Sequence, residues 1–196
     1  MNSSVKIRYA ALEDAAALAG IYAPYVRNTA ITFEFTPPDA EQFRERMAHS
    51  MQQYPYLVAQ KDGELVGYAY AGQFKDRAAY AWAVETTVYV RSDRKHCGVG
   101  KALYGALAEC LRTQGILNMN ACIAVPQQGE HTVPLDSVAF HEQLGFQTVA
   151  RIHACGFKQG SWYDIVWMEK FLGAHEDKPP ELLPFPAVRA LCPQYE

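Results

Sequence analysis

Apolar and polar residues along this chain fall into blocks of distinct period, and the blocks give an element order. Val5 to Tyr9 alternates and predicts a strand. Leu12, Ala15, Ala16, Ala19 and Tyr22 or Ala23 recur at helical spacing, which predicts a helix over Leu12–Val26. Phe33-Glu34-Phe35-Thr36-Pro37-Pro38 breaks both periods and reads as a loop. Asp39 is placed to cap a helix from Ala40 to about Met51. Tyr56–Gln60 and Glu64–Gly72 are strand-like, and Lys61-Asp62-Gly63 between them is a hairpin signal. Lys75-Asp76-Arg77 reads as a polar turn before a strand from Tyr80 to Arg91.

The clearest helix runs from Val99 to Thr113. Val99, Ala102, Leu103, Ala106, Leu107, Cys110 and Leu111 form one apolar stripe, and Gly115 is placed to end it. Asn118–Val125 predicts a strand, Pro126–Pro134 a loop, and Asp136–Leu144 a short helix that Gly145 can close. Phe146–His153 and Tyr163–Phe171 read as closing strands. The order β-α-α-β-β-β-α-β-α-β-β lacks the regular alternation of a doubly wound sheet. It predicts an α/β (α+β) domain with a mixed, mostly antiparallel sheet. After Gly173 the prolines crowd and periodicity fades. We therefore expect a domain over residues 1–173 and a proline-rich tail over 174–196, disordered or laid in extended form on the body.

The 196 residues are enough for one real core, and 49% hydrophobic with 20% charged residues is ordinary globular composition. A net charge of −3 argues against a nucleic-acid binder. The five cysteines, Cys97, Cys110, Cys122, Cys155 and Cys192, form no C-x-x-C pair, so no metal site is expected. An odd number of thiols and no apolar leader at the N-terminus fit a cytoplasmic protein, and no apolar stretch is long enough to span a membrane.

One basic cluster has a definite setting. Arg94-Lys95-His96-Cys97-Gly98-Val99-Gly100-Lys101 joins a strand to the clearest helix, so backbone N–H groups would point outward at a helix N-terminus. That is a site for a phosphate or pyrophosphate. Glu85, among Val84, Thr86 and Val88 on the preceding strand, sits where burial would raise its pKa toward that of a general base. An edge carboxylate paired with a cation is the plainer reading of the same residue.

These residues resemble the GNAT N-acetyltransferase superfamily, whose acetyl-CoA turn is Gln/Arg-x-x-Gly-x-Gly/Ala; here it reads Lys95-His96-Cys97-Gly98-Val99-Gly100. Five further stretches resemble its phosphinothricin and methionine sulfoximine acetyltransferase branch, in order over residues 5 to 172. They are Tyr54–Ala59, Gly67–Gly72, Glu85–Val90, Phe140–Phe146 and Gly156–Asp164. The resemblance implies the acyl-CoA N-acyltransferase fold, acetyl-CoA as cofactor and a homodimer. It implies transfer of acetyl to the primary amine of a small amino acid or analogue.

By the same resemblance Glu85 is the base and His141 a proton relay, though a histidine on a short helix is as often packing. Lys95, His96, Cys97, Gly98, Val99, Gly100, Lys101 and Ser137 fall on the cofactor side, with Val88, Tyr89 and Val90 lending strand backbone to the pantetheine arm. Phe33, Arg77 and Tyr80 fall on the substrate side, where Arg77 reads otherwise as surface charge and Phe33 as core. Tyr104, one turn into the clearest helix, reads as packing. Three departures stand out: a longer loop from Pro126 to Asp136, Pro134 where many members have asparagine, and Glu34 where herbicide-acetylating members carry arginine. Glu34 keeps open a cationic acceptor such as a polyamine, an aminoglycoside or a protein N-terminus. A non-catalytic acyl-CoA sensor is the third reading.

Overall fold

The structure is a computed structural model that describes residues 5–127 and 136–196. Seven strands form one sheet: β1 (Lys6–Tyr9), β2 (Tyr56–Lys61), β3 (Glu64–Gln73), β4 (Ala83–Val90), β5 (Asn118–Pro126), β6 (Gln147–Lys158) and β7 (Ser161–Phe171). Their spatial order is β1-β2-β3-β4-β5-β7-β6. All neighbours are antiparallel except β4 and β5. The helices are α1 (Ala15–Asn28), α2 (Ala40–Met51), α3 (Val99–Gln114), α4 (Asp136–Gln143) and α5 (Phe185–Leu191). The expected mixed, mostly antiparallel sheet is what forms.

Local chemistry explains the boundaries. The Asp39 carboxylate accepts from the Gln42 N–H at 2.8 Å and the Gln42 side chain accepts from the Asp39 N–H at 3.1 Å, a reciprocal cap that starts α2. The α3 stripe of Val99, Leu103, Leu107, Cys110 and Leu111 is fully buried against the sheet. Gly115 ends α3 with φ +92°, in the left-handed region that favours glycine.

The sheet buries both faces, but not equally. On one face α3 packs over a core of Leu57, Ala69, Val84, Met119, Ala121 and Met168. On the other, α1 and α2 cover β2, β3 and β4 through Leu18, Tyr22, Val26, Phe43 and Met47, against Tyr56, Val58 and Tyr68. On that second face β5 leaves Cys122 exposed, and Val149 and Ile152 of β6 are exposed too.

Three segments differ from the sequence expectation. Residues 78–80 form a short 3-10 turn, with the Tyr80 N–H bonded to the Arg77 carbonyl at 2.9 Å, so the strand begins at Ala83 and not at Tyr80. Ala78-Ala79-Tyr80-Ala81 has no alternation to hold a strand there. β6 runs on to Lys158 through an irregularity between Ile152 and Gly156. Buried Asp164 pins that bulge, accepting from the Ala154 N–H and from Arg151 Nε, each at 2.8 Å. Third, the segment 174–196 is not simply extended. Its helix α5 buries Phe185 and Val188 in the α3-side core, and Tyr9 packs edge-on against Phe185 and Tyr195. The expectations for the Pro126–Asp136 loop and for Pro134 fall largely on residues 128–135, outside the described residues. No described helix is long and apolar enough to cross a membrane.

Candidate active site

The parallel pair β4–β5 holds register for only three residues: Ala83 with Asn118, Val84 with Met119, and Glu85 with Asn120. Beyond that pair the two strands part, although β4 continues to Val90 and β5 to Pro126. The edge of β4 from Thr86 to Val90 therefore faces β5 without a ladder, which leaves backbone donors and acceptors for something else to satisfy. Asn120 closes the apex of the split, its side-chain amide donating to the Val84 carbonyl at 3.1 Å.

Alternation along β4 sends Thr86 to the α3 face and Glu85 to the opposite one. The Thr86 hydroxyl donates to the Asn120 carbonyl at 3.1 Å. It also lies 3.4 Å from the Tyr104 hydroxyl, which is 3.0 Å from His141 Nε2. His141 Nδ1 is 2.6 Å from the Ser137 carbonyl. A carbonyl only accepts, so Nδ1 carries the proton and donates. Nε2 of the neutral ring is then an acceptor and takes the Tyr104 O–H. Burial holds the His141 pKa below the usual histidine range, the Ser137 carbonyl opposing it, so the ring stays neutral near pH 7. Burial also pushes the Tyr104 phenol up, so it keeps its proton. Since Thr86 donates to Asn120, one lone pair of the Tyr104 oxygen is left unfilled at the split.

Glu85 is half-buried beside the Tyr70 ring, and burial raises its carboxyl above the usual range, with the positive charge of Lys75 pulling the other way. Such a group binds a proton more readily than a surface carboxylate does. Lys75 and Asn120 both line an open cleft of about 640 Å³ between residues 74–83, the bare face of β5 and β7, and residues 175–179. Phe74, Tyr80, Trp82 and Trp167 supply its aromatic walls, and the Lys75 ammonium lies 5.1 Å from the Phe74 ring centre and 5.7 Å from that of Trp167.

The turn before α3 has the expected build. Gly98 adopts φ +80° with open space around the position of a Cβ, and residues 95–98 are exposed. The first N–H groups of α3 have no helical acceptor and point into that space. Gly100 is glycine for another reason: a Cβ there would lie 3.0 Å from Phe140 Cζ, so its absence lets α4 close on α3. The Lys95 ammonium sits 5.0 Å from the Tyr25 ring centre, and the Tyr25 hydroxyl donates to the Val90 carbonyl, which ties the turn to the end of β4. His96 is exposed with φ +58°, Cys97 and Lys101 are exposed, and Val99 is buried. Tyr89 turns its ring into α1, 4.9 Å from Tyr22 and 5.0 Å from Tyr25, and pairs with Tyr68 of β3, so the backbone groups that border the split are those of its neighbours Val88 and Val90. A bent phosphate-bearing thioester fits this combination of a free strand edge and a free helix terminus.

The sequence-predicted substrate residues do not meet in one place within the chain. Tyr80 lines the aromatic cleft. Arg77 opens instead on a separate groove with Gln52, Gln114 and Leu183. Phe33 packs against Gly156, where a Cβ would come within 2.3 Å of its ring, and its ring centre is 6.3 Å from that of Tyr163. Glu34 forms a two-pronged ion pair with Arg46 at 2.7 and 3.1 Å and accepts from the Tyr22 hydroxyl at 3.0 Å. Sequence reasoning passed over two residues and one hydroxyl. Tyr104 packs in the α3-side core as expected, but its hydroxyl, in the middle of an apolar stripe, also bonds His141. Lys75 looked like any turn lysine, and Asn120 like any strand residue.

A strand split that leaves a backbone edge free, beside a helix terminus open to phosphate and a desolvated carboxylate, defines an acyl-CoA-dependent transferase. Comparison with known proteins gives the family. The profile described as "Acetyltransferase (GNAT) domain" matches residues 7–167, and the chain belongs to that family of acetyl-CoA-using N-acetyltransferases. It is 34% identical over 168 residues to a phosphinothricin N-acetyltransferase of Streptomyces viridochromogenes, covering 85% of this chain and 88% of the relative. It is also 34% identical to an L-methionine sulfoximine/L-methionine sulfone acetyltransferase of Pseudomonas paraeruginosa, covering 85% and 94%. The crystal structure of a phosphinothricin acetyltransferase from Sinorhizobium meliloti in complex with AcCoA superposes with a TM-score of 0.83 at 33% identity, covering 94% of this chain and 97% of that one.

Proposed function

We propose that this N-acetyltransferase acts on the α-amino group of a small amino acid or amino-acid analogue, of the phosphinothricin and methionine sulfoximine or sulfone type. The observation that carries the reading is the last β4–β5 pair. Glu85 stands there on one face, and the Thr86–Tyr104–His141 chain stands on the other. Bound acetyl-CoA supplies the thioester acyl group. Glu85 removes a proton from the acceptor ammonium, directly or through one water, so that a neutral amine can attack. Lys75 gives the acceptor's carboxylate an opposite charge and orients the amine toward Glu85. Tyr104, held by His141, stands at the apex of the split, and its hydroxyl turns from His141 Nε2 to give its proton to the departing thiolate. The backbone N–H groups of Gly98, Val99 and Gly100 receive the pyrophosphate at the α3 terminus, with Lys95 and Lys101 adding charge beside His96 and Cys97. The free edge of the strand at Val88–Val90, around Tyr89, takes the amide arm, and Ser137, in the first turn of α4, is assigned to the same cofactor.

The experiment is thiol release from acetyl-CoA with L-methionine sulfone or phosphinothricin as acceptor. Glu85→Gln lowers kcat/KM by about 10²- to 10⁴-fold, the usual share of a general base. A variant as active as the parent on either acceptor overturns the assignment. The polyamine and aminoglycoside reading rested on Glu34, whose charge Arg46 already neutralises, so it is not advanced. We further propose a homodimer through the edge strand β6, where Val149, Ile152 and Phe157 are exposed. Five unpaired cysteines support a reducing, cytoplasmic setting.

A further inference from the structure

Asn120, the register partner of Glu85, lines the aromatic cleft, and the cleft also carries two carboxylates, Glu169 and Glu176. Glu85, Asn120 and Glu169 are successive register partners across β4, β5 and β7. Their side chains share the face opposite α3, because Val84, Met119 and Met168 beside them all point into the α3-side core. Two strand spacings, about 10 Å, separate the first of these residues from the last. Glu169 therefore lies in a straight row from Glu85, with Asn120 between them.

Glu176 lines the same cleft from the C-terminal segment, as do His175 and Pro179. That segment is tied down at two points. The His175 imidazole donates to Asn118 Oδ1 at 2.7 Å, and the Trp82 indole donates to the Pro180 carbonyl at 2.8 Å. Among the described residues, neither Glu169 nor Glu176 has an ion pair or a side-chain hydrogen bond. The family profile stops at residue 167, short of both.

We propose a further activity for this site: acetylation of the α-amine of a longer amino acid that ends in a cation, of the arginine type. The inference rests on Glu85 as base and on an amino-acid acceptor. The carboxylate of such an acceptor lies toward Lys75 and its amine toward Glu85. Its methylenes run over Trp167 and Phe74. Its terminal cation meets Glu169 and Glu176 beside the Trp82 ring, where an aromatic face and two carboxylates both favour positive charge. In the reaction the amine nitrogen bonds to the acetyl carbon as the carbon–sulfur bond breaks. The ammonium gives one proton to Glu85 and one proton returns to the thiolate, leaving an N-acetyl amino acid, free CoA thiol and one proton released to solvent.

L-Arginine and L-citrulline form a matched pair that differ in charge, with L-methionine sulfone as the short reference. The expected result is N-α-acetylarginine by mass spectrometry, with kcat/KM for arginine roughly tenfold or more above citrulline, the scale of one charge-assisted hydrogen bond. In the Glu169→Gln/Glu176→Gln protein that ratio falls toward one. The inference is overturned if arginine is no better than citrulline, or if the double variant keeps the parent's ratio. Turnover of methionine sulfone without preference for arginine sinks this inference alone. No turnover of any of the three sinks the amino-acid reading beneath it as well.

Discussion

Replacing Tyr104 by Phe removes one oxygen and keeps the ring that stacks on Phe140 and lies tilted against Phe146, each 5.8 Å away between ring centres. No cavity opens, so the change isolates the hydrogen bond to His141. His141 Nε2 then loses its donor in a side chain only 4% exposed. An unsatisfied buried acceptor costs about 1–3 kcal/mol. For a chain of this size that is a fall in Tm of roughly 2–12 °C. If Tyr104 gives the proton to the thiolate, kcat drops by about 10²- to 10⁴-fold in the same protein, the range for general acid catalysis. Calorimetry and thiol-release kinetics on one preparation give both numbers. The double variant Tyr104→Phe/His141→Leu separates stability from catalysis. Removing both partners relieves the orphaned nitrogen, so the two substitutions couple by about 1 kcal/mol or more. Activity does not recover. A Tyr104→Phe protein with parental Tm and parental kcat would refute the hydrogen-bond direction derived from the Ser137 carbonyl, and with it the role of the chain.

Other outcomes follow from the same geometry. Lys75→Met removes the charge that holds the Glu85 pKa down, so burial acts alone and the pKa rises further. Glu85 must be ionised to act as base, so the acid limb of kcat/KM against pH moves to higher pH, and an unmoved limb would uncouple the two residues. Gly115→Ala puts a side chain at φ +92° and its Cβ 2.5 Å from the Glu181 carbonyl oxygen. Left-handed strain of about 1–2 kcal/mol and overpacking of about 1–3 kcal/mol predict a Tm lowered by roughly 5–20 °C, readable by calorimetry. Gly100→Ala pushes Phe140 off α3 and with it His141; the expected sign is weaker retention of acetyl-CoA in equilibrium binding. Ile152→Glu on the edge strand yields a monomer by light scattering if β6 is the dimer seam.

Much of the architecture was legible because local signals and global packing agree. The α3 stripe, the Asp39 cap and the Asp62-Gly63 turn each specify their element within a few residues. The partial burial of Glu85 was legible for the same reason, since it stands in a strand-forming run of Val84, Thr86, Thr87 and Val88. The C-terminal segment was not legible, because seven residues of helix around Phe185 and Val188 carry too little period to be seen. Only contact with Tyr9 and α3 gives them a reason to fold. Tyr104 was hidden by the strength of its own helix, where every residue of the stripe reads as core. Asn120 and Glu169 gain meaning from register alone, and register between strands far apart in sequence is written in the fold, not in any one segment.

Glu85 and Thr86 are consecutive residues facing opposite sides of one strand. In the proposed mechanism the strand acts as a partition, with proton removal on one side and proton delivery on the other. The two half-reactions share an apex but no wall. Mutations that reshape the acceptor compartment can accumulate without disturbing the thiol compartment, so such an enzyme can change customers while its chemistry stays put.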